Sequence, residues 1–179
     1  MRYDPEKHLR RSIRLKGYDY STAGAYFVTI CTYRRECFLG QITDGQMRLS
    51  DAGRMVHLIW EQLPDHYPYI KLDAFVIMPN HVHGIIILND WADMVGAGFK
   101  PAPTAGGKRH GIPEIIRGFK TFASRRINES REMMGVPTWQ RNYYEHVVRN
   151  DRALNTIRNY IEANPSQWAN DPENPERNL

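Results

Sequence analysis

Cysteine is scarce in this sequence of 179 residues: Cys31 and Cys37 are the only two. That is too few for a disulfide framework, and they form no CxxC pair of the kind that holds a metal knuckle. Long apolar runs are missing too. No stretch approaches the roughly 20 residues of a membrane-spanning helix. The first residues are charged and no apolar run follows, so no signal peptide is expected. No internal repeat is visible, which argues against a solenoid. The natural reading is a reducing cytoplasm and no membrane partner. Strong net charge is also absent: 24 basic residues against 20 acidic leave +4, which by itself is a weak pointer to nucleic acid.

What is present bounds the answer further. With 41% hydrophobic residues the chain can bury the core of one ordinary domain. The bases are clustered. Arg2, Lys7, Arg10, Arg11, Arg14, Lys16, Arg34 and Arg35 are opposed up to that point only by Asp4, Glu6 and Asp19. A second group, Lys108, Arg109, Arg117, Lys120, Arg125 and Arg126, has Glu114 as its only acid. Two such groups can form a phosphate-binding face, although charge runs are also simply solvated surface. Arg34, Arg35, Arg117, Lys120, Arg125 and Arg126 are the candidate phosphate contacts, with Tyr18, Tyr20 and Trp139 as candidate stacking platforms should the ligand be a nucleic acid.

Residues 1–24 read as a basic N-terminal arm. The β-branched and aromatic run over 25–32 predicts a strand. Asp44-Gly45 between two short extended runs predicts a hairpin. Ser50 is placed to cap a helix from Asp51 to about Leu63, with Ala52, Met55, Val56, Ile59 and Leu63 inward and Pro64 as its stop. Residues 70–78 and 81–88 predict two more strands around the turn Pro79-Asn80, the second apolar on both faces and therefore central. Residues 89–111, rich in Gly and Pro, predict a flexible loop. Pro113 suits the first turn of a helix whose stripe is Ile115, Ile116, Phe119, Phe122, Ala123 and Ile127. The aromatic stretch 139–149 predicts extended chain, and Asn150 is placed to cap a last helix ended by Pro165. The tail 169–179 is polar and expected to be loose. This order predicts an α+β fold: an antiparallel sheet with helices on one face.

Within that frame two constellations can carry chemistry. His81 and His83 lie two apart on a strand, so their imidazoles share a face and can present two nitrogens to one ion. An isolated HxH is also compatible with two uncoordinated histidines. Here the pair opens a central strand directly after a turn, where imidazole without a partner is costly. Tyr160 and Asn164 lie four apart on the last helix and share a face at the border of its apolar stripe. Tyr160 can reach the sheet while its hydroxyl stays wet, and Asn164 offers a hard oxygen; equally, the two can be a packing aromatic and a helix end. Tyr143 and Tyr144 are rivals for Tyr160, pointing to opposite faces of a strand.

The stretch 78–86 (MPNHVHGII) resembles the HUH motif, His-hydrophobic-His, of single-tyrosine transposases. Residues 139–146 (WQRNYYEH) and 159–165 (NYIEANP) are similar to a second block of that group, found in the REP-associated tyrosine transposase branch. The likeness covers most of residues 25–168. It implies a ferredoxin-like fold, a single catalytic domain over 25–168, Mg²⁺ or Mn²⁺ as cofactor, and single-stranded or hairpin DNA as partner. It places the nucleophile at Tyr160, the metal on His81, His83 and Asn164, and the chain as a monomer or homodimer. The implied activity is cleavage and rejoining of DNA through a 5′-phosphotyrosine. By donor preference alone, two imidazoles suit Zn²⁺ or Mn²⁺ better than Mg²⁺. Two other functions fit parts of the sequence: a metal-dependent nuclease that uses water, and a ferredoxin-like nucleic-acid binder without catalysis.

Overall fold

The computed structural model of the protein describes residues 15, 17–90 and 110–177. The expected basic arm lies outside the described residues at 1–14 and 16, and the expected Gly/Pro-rich loop does so at 91–109. Four strands form the main sheet: β1 (Gly24–Cys31), β4 (Ile70–Met78), β5 (His81–Leu88) and β6 (Tyr144–Val148). A separate hairpin, β2 (Gly40–Thr43) and β3 (Gln46–Leu49), turns at Asp44-Gly45. Both turn residues have positive φ, 53° and 70°, as the tight hairpin turn requires. The helices are α1 (Asp51–Glu61), the short α2 (Leu63–His66), α3 (Ile112–Ser130) and α4 (Asp151–Ala163). Among the described residues no helix is long and apolar enough to cross a membrane.

The spatial order is β4-β5-β1-β6, every neighbouring pair antiparallel. With α1 and α3 as the two crossovers this is the βαββαβ ferredoxin-like pattern. The expected central strand is confirmed: β5 lies between β4 and β1, and Gly84 lies against Trp60 of α1. A Cβ there would sit 2.3 Å from Trp60 Cζ2, so glycine lets the indole lie flat on the strand, stacked on Phe75 with centroids 4.6 Å apart.

The α+β class and the antiparallel sheet are as the sequence predicts, but helices cover both faces rather than one. Tyr26, Val28, Ile30, Val82 and Ile86 point to the face covered by α1 and α3, where Val56, Trp60, Ile115, Ile116 and Phe119 complete the larger core. Phe27 and Ile85 point the other way. They meet Ile161, Leu154 and Ile157 of α4 in a second, smaller core. The alternation along β1 and β5 shows that both faces are apolar; periodicity within a helix shows its own buried stripe and carries no information about which sheet face receives it.

Both expected caps are formed. Ser50 Oγ accepts from the N–H of Gly53 at 3.1 Å, and Asn150 Oδ1 accepts from the N–H of Ala153 at 2.8 Å. The Asn150 cap fixes where α4 begins, and hence where Tyr160 emerges three turns later.

Candidate active site

The register of the sheet collects one row of side chains. Cys31 pairs with His81, and Thr29 pairs with both His83 and Tyr144. All five therefore face α4. The imidazoles stand at the start of β5 with their Nε2 atoms 3.0 Å apart. Both rings are buried: His81 is 0% exposed and His83 3%. From α4, Tyr160 reaches across the sheet, and its hydroxyl lies 3.2 Å from His83 Nε2. The ring is 45% exposed, so the phenol oxygen is held at a buried pair while one side of it faces solvent. All three groups come from one chain.

A hydrogen-bond frame sets the tautomers. Asn80, fully buried, donates from Nδ2 to the carbonyls of Arg35 (3.1 Å) and Glu173 (2.7 Å). That leaves Oδ1 to accept from His81 Nδ1–H at 2.9 Å. The proton of neutral His81 is thus on Nδ1, and its Nε2 presents a bare lone pair to the site. His83 Nδ1 meets Thr29 Oγ1 at 2.8 Å. A hydroxyl can donate or accept, so Thr29 permits either tautomer of His83. With no cation between them, His83 Nε2–H donates to His81 Nε2 and Thr29 donates to His83 Nδ1. To hold a cation, His83 would carry its proton on Nδ1, with Thr29 accepting it, so that the Nε2 atoms of both rings would be free to serve as ligands.

Burial keeps both rings neutral. It pulls His83 down to about 4, and burial together with the nearby His83 and Arg35 pulls His81 down to about 2. Neutral imidazole is the form that binds a metal. Burial also pushes the Tyr160 phenol above its ordinary value, while a hydrogen bond from Asn164 works the other way.

Sequence reasoning missed Asp171. The tail after Trp168, expected to be loose, folds back over the imidazoles. Residues Pro165–Asn170 make a short 3-10 helix, and Asp171 behind it is 5% exposed. Its Oδ2 lies 3.8 Å from His81 Nε2, and donor atoms of His81, His83 and Asp171 all lie within 4.8 Å of one another. The tail is pinned at several points. The Glu173 N–H donates to Asp171 Oδ1 at 2.6 Å, and the Glu173 carboxylate pairs with Arg35 at 2.9 Å and accepts from Cys31 Sγ at 3.4 Å. No periodicity distinguishes Asp171 from the other tail acids, Glu173 and Glu176, so no sequence signal singled it out.

Asn164, the expected third ligand, is 3% exposed, and its Oδ1 has no hydrogen-bond partner. It keeps helical dihedrals (φ −56°, ψ −44°) although Pro165 follows, so it stays on the same face as Tyr160. The two converging imidazole nitrogens and the Asp171 carboxylate are a donor set that fits a divalent cation of the Mn²⁺ or Zn²⁺ kind.

The other expected residues scatter. Arg35 lies beside the site but is paired with Glu173. Arg34 is exposed, its guanidinium 5.3 Å from the centre of the Tyr33 ring. Arg117, Lys120, Arg125 and Arg126 are on α3, on the far face of the sheet. Lys120 donates to the carbonyls of Gln140 (2.5 Å) and Arg141 (3.1 Å), so it holds the 140–141 turn, and Arg125 pairs with Glu129. Trp139 and Tyr20 are buried at 6% and 9%, which removes them as stacking platforms, and Tyr18 packs edge-on against Tyr20. Of the rival tyrosines, Tyr143 donates to Glu145, and Tyr144 faces the site side of the sheet.

No family model matches the chain. It is 40% identical over 174 residues to an uncharacterised protein of Haemophilus influenzae, an alignment covering 95% of this chain and 96% of that one. A second protein of the same organism, named "Putative REP-associated tyrosine transposase", is 26% identical over 147 residues, 82% of this chain and 73% of that one. Among solved structures, a REP-associated tyrosine transposase bound to a REP hairpin superposes with a TM-score of 0.59 at 19% identity, covering 88% of this chain and 74% of that one. The fold, and the resemblance to the REP-associated tyrosine transposases, are thus met again in these comparisons.

Proposed function

We propose that this chain, similar to the REP-associated tyrosine transposases in fold and in sequence, cleaves and rejoins single-stranded or hairpin DNA with Tyr160 as nucleophile. The observation that carries the reading is the phenol oxygen 3.2 Å from His83 Nε2, at the mouth of a buried imidazole pair.

The reaction is a transesterification. The Tyr160 oxygen forms a bond to phosphorus, the bond to the 3′ oxygen breaks, and the products are a 5′-phosphotyrosine and a 3′-hydroxyl. The covalent link conserves the phosphoester, so a second 3′ end can be joined without a nucleotide cofactor. His81 and His83 would hold a divalent cation, Mg²⁺ or Mn²⁺, with Asp171 or Asn164 supplying oxygen. Asp171 Oδ2 lies 3.8 Å from His81 Nε2; Asn164 has a buried oxygen without a hydrogen-bond partner. Bound there, such an ion supplies Lewis acidity to a phosphate oxygen. Asn80 fixes the ring and tautomer of His81, and Thr29 orients the His83 ring in either tautomer. Asn164 hydrogen-bonds the phenol and opposes the upward pull of burial. Arg158, two residues before the nucleophile, grips Asp73 of β4 through two bonds of 2.7 Å and so fixes α4 against the sheet. The two unpaired thiols suit a reducing compartment such as the cytoplasm.

Incubation with hairpin DNA and Mn²⁺, followed by a denaturing gel, tests the reading. Wild type should give a protein–DNA band and Tyr160→Phe none. Cleavage without a covalent band would establish the water-using nuclease instead.

A further inference from the structure

One wall of the site continues into a groove that the chemistry above does not use. It lies between β6, an edge strand, and the N-terminal half of α4, with a volume of about 530 Å³. Sites that accept small ligands or single residues of a polymer run from about 300 to 1,000 Å³. Tyr144 and His146 form the strand wall; Asn150, Arg152 and Thr156 form the helix wall; Phe27 is the floor.

Three features point to one kind of occupant. First, the groove opens onto the nucleophile. Phe27 lies 5.4 Å from the His83 ring, 6.2 Å from Tyr160 and 6.3 Å from Tyr144, measured between centroids, so a single ring bridges site and groove. Second, Tyr144 is 46% exposed and sits in register with Thr29, and hence with His83, so an aromatic face stands in solvent one residue pair from the reacting atoms. Third, Arg152, Thr156 and Tyr160 are spaced four apart along α4, which lines a cation, a hydroxyl and the phenol along one side of the helix. A π-face, a cation and an open end are what a single-stranded nucleotide needs: its base stacks and its phosphate meets the guanidinium. A duplex would keep its bases from the ring.

We propose that this groove seats the nucleotide adjacent to the scissile phosphate, its base on Tyr144 and its outer phosphate at Arg152. The proposal rests on the single-strand reading of the site and adds the residues that grip the strand beside it.

The test measures binding and chemistry separately. In a Tyr160→Phe background without added metal, anisotropy titration follows a fluorescent oligothymidine of about 12 nucleotides, within the usual range of single-strand site sizes. Tyr144→Ala should weaken binding by about 5- to 150-fold, the factor that corresponds to one base stack of about 1–3 kcal/mol at 1.4 kcal/mol per tenfold. Tyr144→Phe, which keeps the ring, should bind as the parent does. Arg152→Ala should weaken binding and flatten its salt dependence by about one phosphate contact. In the same background with Tyr144 retained, an oligonucleotide carrying 5-bromodeoxyuridine should photocrosslink within residues 144–156. Binding with unchanged affinity in Tyr144→Ala, or crosslinks confined to α3, overturns the groove and leaves the transposase reading standing. No binding to any variant overturns both.

Discussion

Acidification should unfold this protein through its buried imidazoles, by an amount that can be worked out. In the folded chain His83 titrates at about 4 and His81 at about 2, both below the ordinary 6.5 because burial disfavours the charged ring. Well above pH 6.5 both states are neutral and the pair contributes nothing to the pH dependence. As pH falls below 6.5 the unfolded chain takes up protons that the folded chain refuses, so stability is lost. At pH 5 each ring held neutral costs about 2 kcal/mol, and the pair about 4 kcal/mol, against a total stability of roughly 5–15 kcal/mol for a domain. Near pH 5 the slope approaches two protons, or about 2.7 kcal/mol per pH unit. Asp171, whose carboxyl is raised by burial, works in the opposite sense over part of this range. Urea unfolding followed by the fluorescence of buried Trp60 and Trp139 measures the effect. The double variant His81→Gln/His83→Gln should lose most of the slope between pH 6.5 and 5. An equal slope in wild type and variant would refute the placement of two neutral imidazoles in the core.

Further outcomes follow from the same geometry. Thr29→Val removes the acceptor for His83 Nδ1–H, so affinity for Mn²⁺, measured by calorimetry, should fall about 10- to 100-fold while the Tm stays close to wild type. Asp171→Asn removes a charge from the donor set and should also weaken Mn²⁺; an unchanged affinity would transfer the oxygen ligand to Asn164. Gly84→Ala drives a methyl to 2.3 Å from the Trp60 ring, and chemical denaturation should show a loss of about 1–3 kcal/mol without loss of the Tyr160–His83 contact.

What could be read from the sequence was whatever leaves a periodic or local signature. HxH after a turn placed both imidazoles on one face, the i,i+4 pair placed Asn164 beside Tyr160, and Ser50, Asn150 and Asp44-Gly45 placed element ends and a hairpin. The choice of sheet face for α4 left no such signature, because β1 and β5 are apolar on both sides. Asp171 was hidden for a different reason. Its position depends on a chain reversal held by Asn80, Arg35 and Glu173, contacts made across 93 and 137–138 residues that no local pattern encodes. Among the clustered basic residues, Lys120 donates to the Gln140 and Arg141 carbonyls, a tertiary contact that charge clustering does not encode.

The central claim is that the phenol of Tyr160 becomes bonded to DNA phosphorus. Proteolysis of the protein after reaction with hairpin DNA and Mn²⁺, with mass spectrometry of the nucleotide-bearing peptide, measures this directly. The account predicts the added phosphate on Tyr160, with none formed when His81 or His83 is replaced. An adduct mapped to Tyr143 or Tyr144, or strand cleavage with no adduct on any tyrosine, contradicts it.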